Sequence, residues 1–335
     1  MNREFTLEDF NYELPKELIA QEHAIPRDHS RMMVVKDKIY HKHFYNLPEF
    51  LERGDTLVVN NTKVIPARFF GHKETGGKVE ILLIRKLKDT QWECLIKGKK
   101  IKQNSTLNFN GFKGRIVDIE EEGKKIIEFD RRVEEIMKKG NVPLPPYIKK
   151  KLEDPNMYQT VYSKKEGAIA APTAGLHFTK ELINNLKDKG VNFAEITLHV
   201  SLGTFRPVHD IKTHKMDEEY YEVSEESAKL INKTLSSGRR VFAVGTTSVR
   251  TLETVSKEGV VNSGSGFSNI FIKPGYKFQS GISGIITNFH IPKSTLLMMI
   301  TAFGGYERVM NAYKVAIKER YRFYSFGDSM FLFKE

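Results

Sequence analysis

Cysteine is nearly missing. Cys94 is the single one among 335 residues, which excludes an internal disulfide and a cysteine-built zinc site and fits a reducing compartment. Long apolar runs are missing too: no stretch approaches the roughly 18 uninterrupted apolar residues of a membrane-spanning helix. The opening segment MNREFTLEDFNYELP is acidic and lacks the apolar centre of a secretory signal. The expected location is therefore the cytoplasm. No HExxH pair occurs, so no metal is expected. GSGFSN, from Gly264, lacks the third glycine of a dinucleotide-binding turn. In GISG, from Gly281, Gly284 directly follows Ser283, so the nucleophile elbow of a serine hydrolase is absent. GHKETGGKV, from Gly71, resembles a phosphate-binding loop but has an extra glycine and no hydroxyl residue after Lys78. It also lies among strand-like segments, where a hairpin turn is the better reading.

What is present is a globular balance, 40% apolar and 28% charged residues, with charge of one sign in excess. Lysine and arginine number 53 against 42 aspartate and glutamate, a formal net charge of +11. Such an excess points to a polyanionic partner, since each neutralised phosphate releases counterions. The alternative is a lysine-rich composition that merely avoids neutrality.

Texture changes along the chain. From VIPARFFG to about residue 130, short alternating segments (KVEILLIRK, QWECLIKG, STLNFNGFKGRIVDIE, KKIIEFD) are broken by Gly76-Gly77, Lys88-Asp89, Asn110-Gly111 and Glu122-Gly123. That pattern predicts a compact antiparallel sheet or barrel. NVPLPPYI, with Pro143, Pro145 and Pro146, forms a stiff connector. Beyond it, helix-like TKELINNLKDKG and SAKLINKTLSSG alternate with strand-like FAEITLHVS and RRVFAVG. Alternation of this kind predicts an α/β core with a mostly parallel or mixed sheet. The expected organisation is a discontinuous α/β core over 1–61 and 146–335, with a smaller antiparallel β-barrel-like domain over 62–145.

Three times an apolar strand runs into a small, hydroxyl-bearing turn: TLHVSLGTFRPV, VFAVGTTSVRTLE and IITNFHIPKSTLL. Ligands of open α/β sheets gather outside the carboxyl ends of strands, and free N–H groups at helix starts suit anions. The first junction supplies His199, Thr204 and Arg206. The second supplies Thr246, Thr247, Ser248 and Arg250, and the third Asn288, His290, Lys293 and Ser294. Each set also has a plain reading as a helix N-cap, with Pro292 at a first helical position. APTAGLHFTKEL, with Thr173 and His177, is a small-residue turn entering a helix near Thr179, suited to close approach of a ligand or of packed backbone. Basic residues cluster at Lys97, Lys99 and Lys100, at Lys149 and Lys150, and in IKERYRFYSFGD, whose aromatics Tyr321, Phe323 and Tyr324 are expected in the core.

Over nearly its whole length the chain resembles the S-adenosylmethionine:tRNA ribosyltransferase-isomerase family of queuosine synthesis. The resemblance is carried by FNYELPKELIAQ, PRDHSRMMV, NTKVIPARFFGHKETGGKVEILL, PLPPYIKK, YQTVYSKKEGAIAAPTAGLHFT, ITLHVSLGTFRPV, VFAVGTTSVRTLE, IFIKPGYKF, ITNFHIPKSTLLM and RYRFYSFGDSM. Ser201, Asp217 and Asn61 depart from the family's usual Gly, His and Asp. The resemblance implies a transferase that uses S-adenosylmethionine as cosubstrate and acts on tRNA carrying 7-aminomethyl-7-deazaguanine at the wobble position. The ribosyl part is moved onto the amine and isomerised to an epoxycyclopentanediol, and adenine and methionine leave. On that reading His177, His199 and His290 are acid/base or ring-orienting candidates. Thr173, Thr204, Arg206, Thr246, Thr247, Arg250, Asn288, Lys293 and Ser294 are substrate-binding candidates, joined by Arg27, Asp28 and Arg31 from the PRDHSRMMV block. Lys97, Lys99, Lys100, Lys149 and Lys150 are the RNA-binding candidates. An RNA methyltransferase using the same cosubstrate and a non-enzymatic RNA-binding protein are the competing readings.

Overall fold

Thr56–Asn60, Val241–Val244, Gly284–Asn288 and Ser329–Phe333 are buried at every position, as strands covered on both faces must be. They form the middle of a nine-stranded sheet in the computed structural model, which describes residues 3–120, 123–150, 152, 154–201 and 208–335. The strand order is Gly264–Ser268, Glu219–Val223, Asn192–Leu198, Thr56–Asn60, Val241–Val244, Gly284–Asn288, Ser329–Phe333, Arg31–Val35, Ile39–His43. The run from Asn192–Leu198 to Gly284–Asn288 is parallel. Antiparallel pairs join Ser329–Phe333 to Gly284–Asn288 and Glu219–Val223 to Asn192–Leu198. The sheet is therefore mixed, with a parallel centre, and the helices expected between its strands are present.

The first of those helices starts where the sequence places it, and the other two are shifted by two or three residues. Thr179 caps Lys180–Asp188 by accepting from the Leu182 N–H at 3.1 Å, and Ser224 caps Glu225–Ser236. Ser294 caps Thr295–Gly304, so Pro292 lies outside the helix rather than at its first position. The core joins Leu57, Val59, Phe242, Val244, Ile286 and Phe331 of the sheet to Phe178, Leu182 and Leu186.

The chain divides into two units. The sheet belongs to the first, Met1–Lys63 with Pro146–Lys165 and Ala171–Glu335. The second takes Val64–Pro145 together with Glu166–Ala170, a segment that sequence texture gave no reason to place there. It is a closed antiparallel barrel ordered Lys124–Phe129, Gln91–Lys97, Lys78–Lys86, Arg68–Lys73, Thr106–Phe109, Phe112–Ile119. Alternate residues fill its interior: Val79, Ile81 and Leu83 point inward from one strand, with Phe109 stacked on Phe112 at 4.8 Å. GHKETGGKV is a hairpin, closed by the Lys73 N–H on the Gly77 carbonyl at 2.8 Å. Cys94 is buried inside this barrel, and burial pushes its thiol pKa up.

Candidate active site

Parallel pairing brings four strand ends, at Asn60, Leu198, Val244 and Asn288, to one edge of the sheet. The reversed strand Ser329–Phe333 and its parallel neighbour Arg31–Val35 deliver their amino ends, with Asp328 and Ser30, to the same edge. Glu219 arrives there at the start of its antiparallel strand. A cleft partly open to solvent lies at this edge. Thr173, Thr246, Thr247, Asn288, His290 and Ser294 line it, as do Tyr324, expected in the core, and Gly245, Thr287, Tyr147 and Ser325, which the sequence did not single out. Apolar walls come from Ala171, Val200, Phe289, Ile291 and Leu296. No Asp, Glu, Lys or Arg lines the cleft among the described residues.

His177 stands behind this wall. Its ring is 5% exposed and stacks on Phe44, with centroids 5.0 Å apart. Nε2 lies 3.2 Å from Asn288 Nδ2, and Nδ1 lies 2.7 Å from Ser30 Oγ. Asn288 Nδ2 also donates to the Tyr324 carbonyl at 3.1 Å, which fixes the orientation of the amide. Nε2 of His177 is then the acceptor, so Nδ1 carries the proton and donates to Ser30. Burial, reinforced by the nearby positive charge of His23, Arg322 and Arg27, depresses the His177 pKa to about 3. The Oδ1 atom of Asn288 is buried without a partner among the described residues.

His290 is on the cleft itself. Nε2 is 2.8 Å from Thr287 Oγ1, its backbone N–H donates to Tyr313 Oη at 2.8 Å, and its carbonyl accepts from Tyr12 Oη. Burial depresses its pKa to about 3, so the ring is neutral at ordinary pH. Tyr147 and Tyr324 also line the cleft, their rings tilted 57° to one another with centroids 4.7 Å apart, both pushed up to about 12 by burial and so retained as phenols. Tyr324 adopts a left-handed backbone (φ 71°), unusual for an aromatic residue and characteristic of functional turns. The core expectation holds for Tyr321 and Phe323, both fully buried, and fails for Tyr324, whose ring is drawn to the cleft by that turn.

Other candidates lie elsewhere. His199 bonds through Nδ1 to Thr62 Oγ1 at 2.8 Å and stacks on Tyr220; burial lowers its pKa. Arg250, 2% exposed, is locked to Glu219 in a buried ion pair, and Glu219 Oε1 also accepts from the Ser201 N–H at 2.8 Å. Lys293 pairs with Glu8, and Ser294 serves as a cap while also bonding the Ile291 carbonyl. Arg27 holds the Gln159 and Asn156 carbonyls, Asp28 accepts from Thr179 Oγ1 at 2.8 Å, and Arg31 lies 3.8 Å over the Tyr321 ring. These are ties between segments. Thr204 and Arg206 lie outside the described residues. Lys97, Lys99 and Lys100 are exposed on the barrel unit, and Lys149 and Lys150 on the sheet unit.

Gly175 in APTAGLHF answers to packing. A Cβ there would come within 2.1 Å of Tyr162 Oη and 2.8 Å of Thr160 Cγ2. Close approach at this turn is thus made by protein, while Thr173 and Ala174 beside it face the cleft. Among the described residues no group of three His, Cys, Asp or Glu side chains is gathered to hold a metal ion.

A profile of the family described as queuosine biosynthesis protein matches residues 7–332. The chain is 53% identical to S-adenosylmethionine:tRNA ribosyltransferase-isomerase of Carboxydothermus hydrogenoformans, over 97% of this chain and 99% of that one. It is 51% identical to the protein of the same name from Natranaerobius thermophilus, with the same shares. Its structure is similar to the crystal structure of S-adenosylmethionine tRNA ribosyltransferase from Thermotoga maritima, with a TM-score of 0.57 and 39% identity, over 96% of this chain and 99% of that one.

Proposed function

The chain belongs to the queuosine biosynthesis family, and from that membership we propose that its strand-end cleft carries out S-adenosylmethionine:tRNA ribosyl transfer and isomerisation. The substrates are S-adenosylmethionine and tRNA bearing 7-aminomethyl-7-deazaguanine at the wobble position. The ribosyl portion becomes the epoxycyclopentanediol of epoxyqueuosine, and adenine and methionine are released. The observation that carries this reading is the match in sequence along almost the entire chain to relatives named for that activity.

The chemistry suits a cleft that no ionised side chain lines among the described residues. A sulfonium already acidifies the adjacent 5′ carbon, so the site must orient groups and exclude water more than supply a strong base. His290, depressed to about 3, is better suited to orienting than to abstracting a proton. Proton removal then falls to the substrate amine. Tyr147 and Tyr324 offer phenol donors, and Thr173, Thr246, Thr247 and Asn288 offer neutral hydrogen-bonding groups to the nucleoside and the amino-acid portion. The discontinuous α/β portion is the catalytic core in this reading. The excess of positive charge, including Lys97, Lys99, Lys100, Lys149 and Lys150, serves the tRNA phosphates. A single buried cysteine supports a cytoplasmic place of action; among the described residues no helix is long and apolar enough to cross a membrane.

Incubation with S-adenosylmethionine and tRNA carrying the aminomethyl base tests the proposal. Free adenine and methionine in step with modified tRNA are expected. S-adenosylhomocysteine instead would identify a methyltransferase, and binding without turnover an RNA-binding protein.

A further inference from the structure

We propose that the start of helix Thr246–Val255 is the carboxylate-binding end of the cleft, anchoring the amino-acid portion of S-adenosylmethionine and so fixing the direction in which the cosubstrate lies. The inference rests on the reading of the cleft as the cosubstrate site.

The helix has no side-chain cap, because the residue before it is Gly245 in a left-handed conformation (φ 86°). The Gly245 N–H is spent on the Ile286 carbonyl at 2.7 Å, and its own carbonyl accepts from Ser248 and Val249. The N–H groups of Thr246 and Thr247 have no partner among the described residues. Thr247 is 8% exposed and lines the cleft, yet its buried Oγ1 has no partner among the described residues. That oxygen lies 3.3 Å from the position a Cβ on Gly245 would occupy, so the missing side chain leaves open the space the hydroxyl faces. Two N–H groups, one hydroxyl and the positive end of the helix dipole converge there.

The cleft wall distinguishes among anions. RNA phosphates are ordinarily met by Lys or Arg, and none lines this cleft among the described residues. Arg250 does not line the cleft: its Nη1 pairs with Glu219, while Nε and Nη2 are buried without a partner among the described residues; Lys293 pairs with Glu8. A monoanionic carboxylate, by contrast, is satisfied by two amides and a hydroxyl. Asn288 Oδ1 offers an acceptor elsewhere in the same cleft, giving it a donor pole and an acceptor pole.

Decarboxylated S-adenosylmethionine, which keeps the sulfonium, ribose and adenine, is the probe. Adenine release with modified tRNA is measured against the concentration of either cosubstrate for wild type, Thr247→Val and Thr247→Ser. Wild type should prefer the intact cosubstrate in kcat/KM by about tenfold or more, the worth of a hydrogen bond to a charged group. Thr247→Val should lower kcat/KM for the intact cosubstrate about tenfold through KM, leave the decarboxylated one unchanged, and leave KM for tRNA unchanged; Thr247→Ser should restore the preference. Equal kcat/KM values in the wild type, or an equal loss on both cosubstrates in Thr247→Val, overturn the inference. So does an altered KM for tRNA alone, which would identify a phosphate as the occupant. Wild-type protein that releases no adenine from either cosubstrate sinks the underlying reading instead.

Discussion

Asn288 donates to His177 Nε2 at 3.2 Å while His177 passes its only proton to Ser30 at 2.7 Å, so the imidazole is spoken for on both edges and the carboxamide alone faces the cleft. His177 is therefore a positioning residue acting through Asn288. Replacing His177 with Ala removes a stacked, buried ring and leaves Ser30 and Asn288 unpartnered, which costs about 2–4 kcal/mol of stability as well as activity. His177→Gln separates the two effects. Its kcat should fall at least tenfold while the shape of the pH–rate profile between about pH 6 and 9 stays that of the wild type. An acid limb present in the wild type and missing from the variant would make His177 a proton acceptor after all.

Stability should fall with acid in a way that reports the buried imidazoles. His177 and His290 are depressed to about 3 and His23 to about 4, burial being the leading cause in each. Between those values and the ordinary histidine pKa near 6.5, the unfolded chain binds protons that the native state refuses, so unfolding takes up protons. Stability is at its full value above about pH 6.5 and declines as pH falls toward 4. At pH 5 these three histidines contribute an uptake of about three protons per molecule unfolded. Denaturant melts from pH 7.5 to 4.5 measure the slope; His177→Gln should reduce it by about one proton.

The Arg250–Glu219 pair lies at 2% and 1% side-chain exposure. Removing one charge strands the other, so Arg250→Met should cost about 3–5 kcal/mol, and Arg250→Met with Glu219→Leu should recover much of it. Urea unfolding of the two proteins decides this. A single variant within about 1 kcal/mol of wild type would show the remaining charge to be well solvated.

Charge reversal at Lys97, Lys99 and Lys100 tests the barrel unit as an RNA contact. The expected result is weaker tRNA binding with a salt dependence shallower by about two to three in the log–log slope. Filter binding at several salt concentrations measures it, and an unaltered slope places the contact elsewhere.

Legibility in the sequence followed locality. The barrel was readable because its strands follow one another through tight turns, and the alternation in KVEILLIRK is the burial alternation of the folded strand. Caps at Thr179 and Ser294 were readable because the bonds they make span three residues. The strand ends carrying Thr246, Asn288 and His290 were readable as turns, and parallel pairing brought them together. What escaped was set by register between remote segments. Nothing local marks Ser30 as the partner of His177, or Glu219 as the partner of Arg250; the latter pairing turns a residue that looks ligand-facing into a lock. Tyr324 escaped for another reason, since its neighbours Tyr321 and Phe323 do fill the core and only a left-handed turn sends its ring the other way.

The placement of Ser329–Phe333 has a consequence for how this protein comes into being. That strand sits between Gly284–Asn288 and Arg31–Val35, and Ser329 Oγ reaches the Arg31 carbonyl across 298 positions. On the ribosome, Arg31–Val35 must wait for a strand that lies 298 positions further along the chain before it gains a neighbour on that side. The barrel unit, built from nearby segments, is free to form while synthesis continues, but the edge that gathers Ser30, Asn288 and Asp328 closes only once the segment carrying Asp328 has been made. Until that segment is made, the cleft also lacks Tyr324 and Ser325 from its lining.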